Sequence, residues 1–229
     1  MINDWRSKWV ELGGNDKSNE IFPFGFIHLS TWDDTSNTTC GDNDAACTVA
    51  IVRSGQTANY GYVPNDKMTN VYMATAIDLG DPNSPWTDIH PRYKQQVSKR
   101  LSDAALNVVY GNKQIYWQGP IANKVSLIND KLLIEFNNVD SSIQVKNNIG
   151  FEIYDGKDWV YVDINTPVLN NGTKSILVSI PTTCNGIAQK IRYNWYRAPC
   201  MPAVGIYLCS VYDMTSQLPA LPFLMTVQQ

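Results

Sequence analysis

The sequence predicts an α/β unit followed by a β-sandwich-like C-terminal domain, and three stretches carry that expectation. Val71 to Leu79 (VYMATAIDL) is almost wholly apolar, the pattern of a strand buried on both faces of a sheet. A loop rich in Pro, Asp and Ser follows, and then Val97, Leu101, Ala104, Ala105 and Val108 recur at helical spacing. Beyond Gly111 the helical period is lost, and short apolar runs alternate with Asn, Asp and Gly pairs, which signals antiparallel hairpins. The boundary falls there: residues 1–111 form the α/β unit and residues 112–229 the β-rich domain.

Each element has its own local reason. Ile2, Trp5, Trp9 and Leu12 share one face of a helix that Gly13-Gly14 ends. Phe22 to Thr31 is aromatic-rich and reads as a strand. Val49 to Arg53 reads either as a short strand or as the entry to a helix. Pro91 suits the first position of the next helix, where its missing N–H costs nothing, and Gly111 suits its C-terminal cap. Strand candidates then run over Val125–Ile128, Lys131–Phe136, Gly150–Tyr154, Trp159–Val162, Ser175–Ile180, Lys190–Tyr196 and Val204–Tyr212. Asn129-Asp130, Asp155-Gly156 and Asn171-Gly172 supply turns between them.

Composition narrows the function classes. The chain has 229 residues, 44% hydrophobic and 17% charged, with a net charge of −3, enough for a true core. No basic run or stripe points to nucleic acid or an anionic membrane. No apolar stretch approaches the roughly 18 residues that span a bilayer. MINDWRSKW, being charged and amphipathic, is not a signal peptide. Cys40 and Cys47 flank a short polar loop, and Cys200 and Cys209 bracket another, so two local disulfides are plausible with Cys184 left over; reduced buried thiols are the alternative. Two sequons, Asn37-Thr38-Thr39 and Asn171-Gly172-Thr173, lie in turn-like stretches. With the cysteines they lead to the expectation of a glycosylated, secreted or lysosomal protein.

Only two histidines exist, His28 and His90. His90 lies in Asp88-Ile89-His90-Pro91, on the loop that leaves the buried strand. A loop histidine beside a carboxylate can act as a general base, because the carboxylate orients the ring and stabilises the imidazolium. Pro91 holds His90 extended. The plainer alternative is a surface or helix-capping histidine. His28 alternates with Phe24 and Phe26 along its strand and reads as a packed core histidine. Two histidines and loop-associated cysteines offer no zinc spacing, so neither a metal nor another cofactor is expected.

The stretch VYMATAIDLGDPNSPWTDIHPRYKQQVSKRLSDAALNVVYG resembles the closing segment of the catalytic domain in sialate O-acetylesterases, members of the SGNH/GDSL hydrolase superfamily. INDWR, FPFGFIHLST, QTANYGYVP, YNWYRAPC and LPALPF resemble the same family in consistent order. The resemblance implies that residues 1–111 are the C-terminal half of an SGNH-type three-layer hydrolase domain. It implies that His90 is the base of a serine triad and Asp88 its orienting carboxylate. SGNH hydrolases commonly place that Asp three residues before the His, where this chain has Thr87; Asp78 and Asp81 are also near. Arg53 and Gln56, spaced as in the family's Arg-x-x-Gln, would line the substrate cleft, an ordinary polar pair being the alternative.

The family carries its nucleophile earlier, in a glycine-flanked serine turn. This chain has no Gly-x-Ser-x-Gly and no Gly-Asp-Ser, and neither Ser30 nor Ser54 lies in such a turn. The expectation is a carboxylic ester hydrolase removing O-acetyl groups from sialic acid or a related sugar, here without its nucleophile half. A missing N-terminal half would then be its partner. A base without nucleophile and oxyanion donors cannot perform acyl transfer at family rates. The alternatives are an inactive fragment, or a carbohydrate-binding or structural module built on the β-rich region and its aromatics.

Overall fold

The structure, a computed structural model, describes residues 1–13, 21–32, 47–162, 167–200 and 205–228. It is mostly β-sheet with few helices. Helix α1 (Ile2–Leu12) ends as its pattern predicts, the Gly13 N–H bonding to the Trp9 carbonyl. Its Ile2, like Phe24 and Phe26, packs against the cluster of Val63, Val71, Met73 and Leu221, and the buried Arg6 donates to the carbonyls of Phe22 and Asn70 at 2.7 and 3.2 Å. That one guanidinium ties the helix to the entrances of two strands.

Those strands, β1 (Phe24–His28) and β2 (Val71–Thr75), pair in parallel from Phe24–Val71 through His28–Thr75. The run Val49–Arg53 is helical, inside α2 (Thr48–Gln56), with Val49, Ala50 and Arg53 buried. The long apolar run from Val71 stays in the sheet only to Thr75; the rest, through Asp81, is buried loop. Helix α3 (Lys94–Val108) packs on β2 and β1. It opens at Lys94 and not at Pro91, because the Arg92 N–H is held by Asp81 Oδ2 at 3.0 Å and keeps the chain in a turn. The helix ends at Val108, and Gly111, three residues on with φ +75°, turns the chain so that the Asn112 N–H reaches the Leu106 carbonyl of the last turn at 3.0 Å.

The strand signals after Gly111 were largely right in place, less so in extent. Strands β3 (Ile121–Ile128) and β4 (Lys131–Asn137) join through Asn129-Asp130, Asn129 taking φ +55°. There follow β5 (Ile143–Val145), β6 (Phe151–Tyr154), β7 (Trp159–Tyr161), β8 (Val168–Asn170) and β9 (Ser175–Ser179). Last come β10 (Lys190–Tyr193), β11 (Val211–Asp213) and β12 (Phe223–Thr226). Asp155-Gly156 turns β6 into β7 and Asn171-Gly172 turns β8 into β9, with the glycines at φ +100° and +80°. Strands β5, β8 and β12, each three or four residues long, escaped the sequence reading.

Two four-stranded sheets, ordered β3-β4-β9-β8 and β12-β10-β6-β7, share one core. Val125, Ile134 and Val178 from the first meet Ile153, Ile191 and Phe223 from the second. Within the second sheet, Arg192 and Glu152 face each other across strands, bonded at 2.8 and 2.9 Å, both fully buried. The Arg192 guanidinium also lies 4.0 Å from the Trp159 ring centroid. Buried charges persist here because each is paired and hydrogen-bonded.

Residues on both sides of Gly111 share cores. Leu221 packs with Val63, Val71 and Met73, while Cys200, Cys209 and Tyr212 pack with Ile77. Cys200 and Cys209 form a disulfide, Cys47 is disulfide-bonded, and Cys184 is free and buried. Cys40 and the sequon at Asn37 lie outside the described residues.

Candidate active site

The loop from Ala76 to Tyr93 leaves the C-terminal end of a parallel strand, where open α/β sheets hold their reactive side chains. Three buried carboxylates lie on it, Asp78, Asp81 and Asp88, together with the exposed His90. Asp78 and Asp81 are each held by an arginine. Asp78 takes a doubly bonded Arg100, at 2.6 and 2.9 Å, and the Tyr212 hydroxyl at 3.0 Å. Burial and the neighbouring Asp78 raise the Tyr212 phenol, so it stays protonated and donates.

Asp81 accepts from the Arg92 guanidinium at 2.6 and 2.9 Å, and these hydrogen bonds hold it down to about 2. The pair closes the loop on itself. Inside that closed turn the His90 main chain is fastened at both ends. Its N–H donates to the Thr87 carbonyl at 3.0 Å, and its carbonyl accepts from Ser84 Oγ at 2.7 Å. Thr87 has φ +71°, a left-handed conformation that a β-branched residue adopts only when its surroundings impose it. The structure therefore presents His90 from a fixed main chain, and buries Asp88 two residues before it.

Arg53 and Gln56, expected to line a substrate cleft, each border a surface hollow and are also engaged with main chain. Arg53 is buried, and its guanidinium donates to the carbonyls of Leu29, Ser30, Tyr196 and Arg197 at 2.7–3.0 Å. Gln56 accepts from the Leu29 N–H and donates to the Ile27 carbonyl, both at 2.9 Å, standing in for a neighbouring strand along part of β1. Both side chains position the end of β1 through its main chain. Arg-x-x-Gln at helical spacing puts the two on one side of α2, where a strand edge is the nearest polar surface.

His28 is buried and hydrogen-bonded, Nδ1 to Thr75 Oγ1 at 3.2 Å, as a core histidine. Burial lowers it to about 3, and the Arg53 charge adds to that shift. The sequence reading missed Arg100, although a signal existed. Arg100 sits on the stripe of α3 that also carries Val97 and Ala104, and an arginine on a buried stripe needs a buried acid. Among the described residues no cluster of three or more His, Cys, Asp or Glu could hold a metal, and no helix is long and apolar enough to cross a membrane.

Comparison with known proteins identifies relatives. Residues 122–227 match the sialate O-acetylesterase C-terminal domain family. Sialate O-acetylesterases of Mus musculus and Homo sapiens are each 35% identical to this chain, over 225 and 229 residues and 98% of it. The chain spans only 39% and 40% of the length of these two relatives. A crystal structure of a carbohydrate acetylesterase from Xanthomonas citri has a similar fold, with a TM-score of 0.71 at 21% identity. That match covers 98% of this chain and 44% of the other.

Proposed function

We propose, on the premise that this chain belongs to the sialate O-acetylesterase family as its C-terminal portion, that it supplies the general base of a sugar O-acetyl ester hydrolase. The observation that carries the reading is His90, exposed on the loop at the C-terminal end of β2 with its main chain bonded on both sides. Asp88 is the orienting carboxylate, and Arg53 and Gln56 hold the neighbouring strand end. Residues 1–111 then represent half of an SGNH-type three-layer domain, and the paired sheets after them a β-sandwich. O-acetylated sialic acid, or a related sugar ester, is the substrate class.

The nucleophile comes from a further segment. Its serine oxygen attacks the acetyl carbonyl and passes its proton to the His90 imidazole. The C–O bond to the sugar breaks, and the imidazolium returns the proton to the departing sugar oxygen. Water, deprotonated by the same imidazole, then cleaves the acyl-enzyme to acetate and restores the serine. The outer edge of β1 ahead of Ile27, where the bonds from Gln56 begin, is where that segment would dock. Among the described residues no strand pairs there, and Trp5 and Trp9 of α1 are exposed. Secretion or lysosomal residence fits the Cys200–Cys209 disulfide and the sequon Asn171, exposed on the β8–β9 turn.

The test is acetate release from O-acetylated sialic acid by this chain co-expressed with the N-terminal remainder of the mouse relative. His90→Ala is expected to lower the rate by roughly 10²–10⁴-fold, with Asp88→Asn lowering it less. An unchanged rate in His90→Ala, or a complemented pair with no acetate release, overturns the assignment.

A further inference from the structure

A cleft of about 630 Å³ opens where α3 meets the β-rich region, and none of its lining residues belongs to the His90 loop. Its size suits a ligand of one or two sugar rings. Two of its cations are already neutralised: Arg100 by Asp78 at 2.6 Å, and Lys99 by Asp103 at 2.6 Å. Lys146 is not. Among the described residues no carboxylate lies within ion-pair distance of it, yet its ammonium is held in place. Nζ sits 3.7 Å from the centroid of the Tyr212 ring and donates to Gln217 Oε1 at 3.3 Å. One N–H faces the ring and one the amide, which leaves a third donor for a ligand. Lys146 is an exposed residue; partial burial lowers its pKa, and the charge of Asp78, beyond ion-pair distance, works against that shift.

Asp140 also lines the cleft, beside the Tyr116 hydroxyl, so an anionic group is placed at Lys146 and only neutral parts of a ligand face the remaining walls. Tyr116 and Tyr207 are 45% and 38% exposed, and both line the cleft. Tyr207 and Gln217 have left-handed backbones, φ +63° and +54°, in residues that rarely adopt them. Main-chain bonds impose both conformations: the Tyr207 N–H donates to the Asp78 carbonyl at 2.9 Å and the Gln217 N–H to the Asp213 carbonyl at 3.1 Å. Two strained residues aimed into one cleft beside a held, unpaired ammonium are a preorganised arrangement.

We propose that this cleft is a binding site, separate from the esterase chemistry, for an acidic sugar residue. The ligand's carboxylate bonds to Lys146, a sugar face lies on the Tyr207 or Tyr116 ring, and hydroxyls reach Gln96 and Gln217. Binding needs neither His90 nor a second segment, so the site serves to hold a part of a glycan that does not react.

The experiment is titration of the whole chain with N-acetylneuraminic acid and with the neutral N-acetylmannosamine, followed by NMR, with near-UV circular dichroism to verify folding. Saturable binding of the acid is expected, weakened roughly tenfold or more in Lys146→Met, the strength of a charge-assisted hydrogen bond. The neutral sugar should bind Lys146→Met as it binds the parent, and Tyr207→Ala should weaken both ligands. His90→Ala should change neither. Absence of saturable binding, or equal affinity of folded Lys146→Met for the acid, overturns the proposal. So does loss of binding in His90→Ala, which would assign the ligand to the esterase site; failure of the esterase reading alone leaves the Lys146 result standing.

Discussion

Arg100 and Asp78 face each other in a doubly hydrogen-bonded pair, Nη1 to Oδ1 at 2.6 Å and Nη2 to Oδ2 at 2.9 Å, with the Asp78 side chain fully buried. The same guanidinium donates to the Thr75 carbonyl at 2.8 Å, and the same carboxylate accepts from Tyr212 at 3.0 Å. One ion pair thereby joins helix α3, the end of β2 and the β11 strand of the C-terminal region. The loop that presents His90 begins at this junction.

Arg100→Met should therefore be severe. It keeps much of the side-chain volume but leaves Asp78 charged and buried, a change that typically costs about 3–5 kcal/mol. Tyr212→Phe removes the hydroxyl that donates to that carboxylate and accepts from the Cys209 N–H at 3.2 Å, and should cost about 1.5–3 kcal/mol. Urea denaturation of the two variants measures both, with Arg100→Met having the lower midpoint.

Stability should fall as pH drops below the ordinary histidine range. Folded His28 titrates at about 3, because burial opposes its charge and the Arg53 cation adds to the penalty. The unfolded chain binds the proton near pH 6.5, so stability is fully present above about 6.5 and declines from there toward about 3. The slope approaches about 1.4 kcal/mol per pH unit. Asp81 acts in a lower window, its contribution being lost between its ordinary value of 3.8 and about 2. Urea midpoints measured from about pH 4 to 7 should show the decline in the parent chain and a flatter profile in His28→Gln.

Two glycine substitutions should differ in a way that exposes backbone contact. A Cβ at Gly119 would lie 2.0 Å from the Pro219 carbonyl oxygen, a main-chain atom that cannot swing aside. At Gly25 it would meet the Tyr72 ring at 2.3 Å, the outer part of a side chain that can move. Gly119→Ala should lower stability by about 2 kcal/mol or more, and Gly25→Ala by less, as read from thermal melting.

The local elements were legible because each rests on a few neighbouring residues. The spacing of Ile2, Trp5, Trp9 and Leu12 led directly to α1, and the Asn129-Asp130 and Asn171-Gly172 pairs led to hairpins that the structure contains. Val49–Arg53 was ambiguous because five apolar-rich residues suit either period, and packing of Val49, Ala50 and Arg53 settled it as helix. The main-chain partners of Arg53 were hidden for a different reason. An arginine two turns into a helix looks like a ligand-binding group until the carbonyls of Tyr196 and Arg197 are brought beside it across more than 140 residues.

By itself, the sequence determined the order of helices and strands, most of their turns, and the position of a lone loop histidine two residues after an acid. These depend on side-chain periodicity and on backbone preferences that act within about ten residues. Tertiary structure alone decided which charges are paired. Asp78 and Tyr212 are 134 residues apart, and nothing in either neighbourhood announces the other. A buried charge selects whatever opposite group the folded chain brings within reach, and only the completed packing reveals that Asp78 is structural, that Asp81 closes a loop, and that Lys146 is left with an open donor.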